Sequence, residues 1–570
     1  MRSCFRALCV TGILAACATY ARADSFDDLA RDFWQWRVLN QPISSDDIPR
    51  IGRPAGWTPA WSKASVEKQR EELAAFEERY KKISPANWRI PRQVDYRLIG
   101  SALARVHWEL DITRNWQRNP TFYVDQTLGA ILLRLLQPPP FDAARSRDIV
   151  ARMDAVPRLI EEAQSNLTEA RRPFAQLAIG QLKDIRERLN TAMRALEPKL
   201  DGASAKALRA STEKAIGALE TYRGWLGERL ESMPADTAIG REAYEYFLKN
   251  IALMPYTPEQ LLAMGKMEWD RSVAFEAYEK QRNAGRPELP LPKDQAAWVA
   301  REKQLENSTR KYLDDHGFMT FPAWLQHYYN LPEPAYIEPF GELTVHDDLT
   351  SPTRLKENAT SYIAVPGPNL GFFGAATARD PRVIIMHEGV HYYQAALSFA
   401  NEDPIRQHYY DSGANEGIGF YTEEMSLQAG LFDDSPRSRE LIYSFMRLRA
   451  LRVEADVRLA LGTFTIEQAA EYLHNTVPMD TATARWEAAF FATSPCQAID
   501  YQIGKIQIMD FLAEARRVQG DKFSLREFHD FLLKNGNVPI ILQKWEYLGV
   551  SPDRGREADL IHPELRTRTP

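Results

Sequence analysis

His387-Glu388-Gly389-Val390-His391 sets two imidazoles four residues apart, with a carboxylate directly after the first. Residues four apart share a helical face, so both histidines can reach one metal ion. Glu388 falls about a third of a turn away, where it can act on a water rather than ligate. That is how a single helix supplies most of a zinc hydrolase centre. The flanks suit such a helix. Asp380 and Pro381 read as N-cap and first helical residue, Val383, Ile384, Ile385, Met386 and Val390 give it an apolar surface, and Asn401-Glu402-Asp403-Pro404 stops it near Ala400. The unbroken apolar run from Val383 to Met386 implies burial, and buried polar groups need partners.

A hydrolytic zinc takes three protein ligands, so a third belongs downstream. Asn415-Glu416-Gly417-Ile418-Gly419-Phe420-Tyr421-Thr422-Glu423-Glu424 offers carboxylates at an interval that fits a helix end, a turn and a return helix. Glu416 is the expected ligand, with Glu423 and Glu424 as alternatives, and His408, Tyr409 and Tyr410 lie in the same interval. Glu416 and Glu423 share a helical face, so one would ligate while the other fixes an imidazole N–H. Amide hydrolysis at such a centre needs a Lewis acid, a base for the attacking water and a donor for the developing oxyanion. One Zn²⁺ meets the first need and Glu388 the second.

HExxH followed by a distant glutamate resembles the gluzincin class of zinc peptidases. More closely, residues 416–423 are similar to the EGWALYAE-like segment of the bacterial DUF885 family, and Ser494-Pro495-Cys496-Gln497-Ala498-Ile499-Asp500-Tyr501-Gln502-Ile503-Gly504 is similar to its PGQALSYKIG segment. Residues 523–533, with Gly536 and Val538-Pro539, resemble its FxLRxFHDxLLxxGxxP ending. The likeness runs from about residue 361 to 548. The chain also departs from the family. It has the compact HExxH where many members carry a Pro-Gly insertion before the second histidine, Phe490-Phe491 where an Arg-Tyr pair often stands, Cys496 for a glycine, and Ala460 where a histidine often follows the aspartate matching Asp456. The resemblance implies a peptide substrate and places Tyr501 beside the site as oxyanion donor, with Tyr421 and Tyr410 as alternatives. His529 reads as a packed, capping or site residue.

Around these residues the sequence predicts a mostly α protein. Apolar residues recur at helical spacing over 65–82, 97–111, 148–168, 172–195 and 203–232, and strand signals are sparse. Residues 361–365 read as a strand, 366–371 as a turn and 372–376 as a second extended piece, making a small β-hairpin or edge strand near the zinc helix. By resemblance that edge would pair with a peptide backbone. Arg379, Arg382, Arg485 and Lys505 are candidates to hold a substrate carboxylate. The expected architecture is a large two-lobed helical metallopeptidase-like fold, with an N-terminal lobe at 24–250 and a catalytic lobe at 251–570 forming one enzyme unit. By fold analogy its enclosed cleft favours short peptides.

Arg2 and Arg6 precede an uncharged stretch from Ala7 to Thr19, and Ala21-Arg22-Ala23 offers a cleavage site, so residues 1–23 read as a signal peptide. Leu14-Ala15-Ala16-Cys17 offers a rival cut after residue 16 that would leave a lipid anchor on Cys17. Both place the protein in the bacterial envelope, periplasmic, secreted or lipid-anchored, and no run is long enough for a transmembrane segment. Three of the four cysteines fall in this stretch, leaving Cys496 without a disulfide partner in the body. A net charge of −6 without a basic cluster gives no support to nucleic-acid binding. The expected activity is therefore that of a zinc metallopeptidase with a metal-activated water. The alternatives are a non-catalytic zinc-containing peptide-binding envelope protein and a zinc amidohydrolase of a non-peptide amide.

Overall fold

The computed structural model describes residues 25–44, 52–341, 343, 346–363, 365–367 and 370–552. Both presequence cuts and Cys17 lie outside them. Helices dominate, as the spacing of apolar residues requires. Four of the five predicted N-terminal helices are Lys63–Lys81, Ile90–His107, Ala143–Asn166 and Gly202–Arg229. Their starts are set by local chemistry: the side chains of Ser62, Asp142 and Asp201 accept backbone N–H groups of the first turn. The fifth, expected over 172–195, is two helices, Arg172–Gln181 and Ile185–Leu196. Asp184 between them takes φ +53°, a left-handed conformation that aspartate tolerates better than most residues, so apolar periodicity runs on through a break in the backbone.

Two large cores organise the chain. One is built by the N-terminal helices around Phe33, Leu98, Ile131, Ile160 and Leu219, and it also takes in Tyr336, Tyr362, Tyr409 and Trp545 from far downstream. The other gathers Met386, Ile418, Phe420, Phe511 and Phe528 around the motif. The downstream chain thus packs into both cores, which joins them into one structure around a shared cavity.

Three short strands lie beside the motif: β1 (Tyr328–Pro332), β2 (Asp347–Asp348) and β3 (Ala359–Ile363), in the order β1-β3-β2. β1 runs parallel to β3 with Tyr328 opposite Ala359, and β2 is antiparallel with Asp347 opposite Ser361. The segment expected to be an edge strand is therefore the middle one, and the edge facing the cavity is β2. Residues 372–376, expected to be extended, begin the helix Phe372–Arg379. Its first N–H donates to the Asp480 carboxylate at 2.9 Å, and Phe372 and Phe373 both pack on Phe445. Tertiary packing of the two rings, and the helix-forming alanines behind them, outweigh the β preference of phenylalanine.

Candidate metal centre

The N-cap is Pro381, one residue later than the expected Asp380, whose carboxylate nevertheless accepts the N–H of Arg382, the first helical residue, at 3.0 Å. The segment runs as an α turn Arg382–Ile384, a π-helical turn Ile385–Gly389 and an α-helix Val390–Phe399. Wide π turns are rare and recur at functional sites. Here the turn holds His387 and Glu388, and Thr422 from the facing helix donates its hydroxyl to the Met386 carbonyl at 2.6 Å. The His387 and His391 rings sit 4.7 Å apart, centroid to centroid.

The return helix Ser412–Gln428 is buried along nearly its whole length although it carries three glutamates. Each glutamate therefore needs a partner, and the partners assign the roles. Glu416 Oε2 lies 3.1 Å from His387 Nε2 and 3.5 Å from His391 Nε2. Glu423 Oε1 lies 2.7 Å from His387 Nδ1, off the line of an ideal N–H bond, and accepts from Arg449 at 2.9 Å. Glu424 turns away to Arg271, bidentate at 2.6 and 2.9 Å, and to Lys505 at 2.7 Å. The structure thus brings Glu416 to the histidines, puts Glu423 behind the His387 ring and removes Glu424 from the site.

Glycines make this approach possible. A Cβ on Gly419 would stand 2.8 Å from His391 Cε1 and 3.0 Å from His387 Cε1, so only a hydrogen fits where the return helix passes the rings. The helix Asp500–Gln519 crosses the return helix at Gly417 and Gly504, where a Cβ on either would come within 2.7 Å of the opposing glycine. That crossing brings Tyr501 to the centre, its ring stacked on His387 at 5.9 Å with the planes 8° apart.

Ligand atoms of His387, His391 and Glu416, all buried, lie within 4.8 Å of one another. They form the one group of three such side chains among the described residues. His391 Nε2 is buried with no hydrogen-bond partner. Two imidazoles, one carboxylate and an orphaned ring nitrogen fit a zinc ion, whose preferred donors these are. Asn415 Nδ2 faces His391 Nδ1 at 3.1 Å and also donates to Gln394 Oε1 at 3.1 Å, which ties the ring to the return helix. Burial opposes a charge on His387, but the Glu416 and Glu423 carboxylates outweigh it and lift the ring to about 10. Burial also raises Glu388, against the pull of His387 and His391.

His387, Glu388, His391, Glu416 and Tyr501 line one cavity of about 560 Å³. Asp347 and Asp348 of β2, Trp486, Phe490, Arg449 and Arg452 share its wall. The two alternative tyrosines stand elsewhere. Tyr421 donates to His529 Nε2, whose other nitrogen donates to the Phe318 carbonyl, so His529 is a buried neutral ring pressed down to about 4 by burial. Tyr410 reaches Asn415, one residue removed from the ligands. His408 packs on Trp34, and Tyr409 bonds Ser101.

The four expected carboxylate-binding cations are engaged or misplaced. Lys505 is fully buried between Glu268 and Glu424. Arg382 is locked to Asp380 and Asp434, Arg379 donates to Ala375, and Arg485 is exposed outside the cavity wall. Arg449 and Arg452 are the arginines beside the centre, and Arg452 is bidentate to Glu487 with its guanidinium 4.4 Å from the Tyr501 ring. A signal was present. Arginines three apart among Leu448, Ala450, Leu451 and Val453 mark a helix buried on all sides, where each charge must find a carboxylate.

Residues 50–543 match the family described as "Bacterial protein of unknown function (DUF885)". The chain belongs to this family. Two solved structures share the fold. A protein assigned as a lipoprotein of unknown function from Shewanella oneidensis aligns with a TM-score of 0.68 at 18% identity, over 92% of this chain and 100% of that one. A protein assigned as a lipoprotein from Colwellia psychrerythraea gives 0.72 at 15%, over 91% and 96%. No curated protein matches. Among the described residues, no helix is long and apolar enough to cross a membrane.

Proposed function

We propose that this protein is a zinc-dependent peptidase of the gluzincin kind, acting on short peptides in the bacterial envelope. One observation carries the reading: three ligand atoms within 4.8 Å of one another face the same cavity as Glu388, a carboxylate that a structural metal site would not need. Bound by His387, His391 and Glu416, zinc supplies Lewis acidity toward a carbonyl and acidifies water. Glu388 takes a proton from the attacking water and returns it to the leaving amine, a pair of transfers that a carboxyl raised by burial serves in both directions. Tyr501 donates its hydroxyl to the carbonyl oxygen as negative charge develops there. Glu423, itself held by Arg449, keeps the His387 ring turned to the metal. The cavity volume supports small substrates over folded ones. The presequence supports an envelope location, and the names of the two structural relatives support a lipid anchor at Cys17.

The test compares wild type with Glu388→Gln, first for zinc content and then against a peptide mixture read by mass spectrometry. Equal zinc with cleavage lowered about 10²–10⁴-fold in the variant is expected. Zinc-loaded wild type that leaves every peptide whole overturns the reading and favours a binding protein or an amidase of non-peptide substrates.

A further inference from the structure

Six arginines line the cavity, and their partners divide them. Arg449 is neutralised by Glu423, Arg452 by Glu487 and Arg354 by Asp348. Arg134 keeps a looser pair with Asp148 at 3.4 Å, and its Nε is buried without a partner. Arg152 and Arg53 have no carboxylate within ion-pairing distance among the described residues. Arg152 is 3% exposed, yet its bonding is confined to the Ala130 carbonyl at 2.5 Å, and its Nε is buried and unpartnered. Arg53 donates to the carbonyls of Val38 and Gln41. Both guanidiniums lie over one indole, that of Trp57, at 4.3 Å for Arg53 and 5.3 Å for Arg152. Trp57 therefore ties Arg53 and Arg152 to one ring.

A buried charge with no counter-charge is costly, and a cluster of like charges more so. The cost falls when an anion enters. We infer that Arg152 and Arg53, with Arg134 beside them, form a subsite for a carboxylate of the substrate peptide, on the cavity wall that the N-terminal helices contribute. A guanidinium suits a carboxylate, to which it donates two parallel N–H bonds. Burial first, then the neighbouring guanidiniums, presses Arg152 down to about 10 and Arg53 to about 9, against the more distant pull of Asp148 on Arg152 and of Glu109 on Arg53. Both thus stay charged at neutral pH and gain from an anion. The metal centre is on the downstream helices, so a peptide would lie across the cavity with its reacting bond at His387 and His391 and its anionic group at Arg152. This names the substrate class of the proposed peptidase and rests on that reading for the word substrate.

The carboxylate has two sources, the C-terminus or an acidic side chain, and four probe peptides separate them. Acetyl-tetra-alanine is used as free acid and as amide, and acetyl-Ala-Ala-Glu-Ala-amide beside its Gln counterpart. Their equilibrium binding is measured to zinc-loaded Glu388→Gln protein, with and without Arg152→Gln. In at least one pair the anionic member should bind about tenfold more tightly, a preference that falls to within about twofold in Arg152→Gln while the neutral member is unaffected. The first pair identifies a C-terminal carboxylate, the second a side chain. If Arg152→Gln fails to fold, Arg53→Gln in its loop gives the same readout. Equal binding within both pairs, no binding of any probe, or a preference that survives the substitutions overturns the subsite. The peptidase reading fails separately, by zinc-loaded wild type leaving bound peptides uncut.

Discussion

Glu423 is the carboxylate behind the His387 ring, and in the proposed centre it would govern how well His387 holds a metal. Glu423→Gln should weaken zinc binding about 10–100-fold without abolishing it, as read by competition with a chromogenic chelator. Unchanged affinity would remove the orienting role. Tyr501→Phe deletes one hydroxyl and leaves the stack on His387 in place. Zinc content should hold while kcat falls about 10²–10³-fold; full activity in the variant would pass the oxyanion role to another donor. At this scale the cluster of His387, His391 and Glu416 was legible, because metal chemistry demands residue types at fixed helical spacing. Glu416 and Glu423 were separable in principle only as a ligand and its support, and the partners settle which stands where. Lys505 was misread because a lysine that is fully buried in an ion network has the same letter as one in solvent.

Helix crossings place the chemistry, and glycines set the crossings. Gly504→Ala would put a Cβ 2.1 Å from the Gly413 carbonyl oxygen, where backbone rather than a side chain must move. Overpacking of this kind costs about 1–3 kcal/mol or more, so urea unfolding should show a clear loss and the Tyr501 helix should shift from His387. A variant as stable as the parent would mean the helices separate freely. Three buried aspartates lie on helices near this crossing: Asp411 caps the return helix, Asp456 lies within the helix Pro436–Ala460, and Asp500 opens the Tyr501 helix. Burial, against bonds from the N–H groups of Ala498 and Cys496, raises Asp456 from 3.8 to about 7. A folded pKa above the unfolded one makes the folded state the tighter proton binder, so that stability is full below 3.8 and is lost as pH rises through about 7. The melting temperature of Asp456→Asn relative to the parent should therefore climb across that window. A difference flat with pH would show that Asp456 stays ionised. Helix positions were legible from apolar periodicity. The split at Asp184 and the helix at 372–379 were not, because a left-handed residue and a pair of packed phenylalanines leave the local pattern unchanged.

The whole molecule wraps an upstream helical wall and the downstream site around one cavity. The mostly helical class was legible from sparse strand signals. The strand order was not, since β1 and β2 reach β3 from separate loops and no local turn announces them. Neither was the arginine wall opposite the metal ligands, because Arg53, Arg134 and Arg152 come together only through packing of distant segments. Metal and fold should be linked at this scale: an ion bound by two helices stabilises the folded state by about 4 kcal/mol at a thousandfold excess over Kd, seen as a rise in melting temperature on adding zinc to stripped protein. Zinc titration of chelator-stripped protein, followed at once by metal stoichiometry and peptide cleavage, tests the proposed three-ligand catalytic centre. One zinc per chain is expected, with cleavage rising in proportion and ending at one equivalent, and the same binding without cleavage in Glu388→Gln. Zinc that fails to bind, or binds without restoring cleavage in wild type, contradicts it.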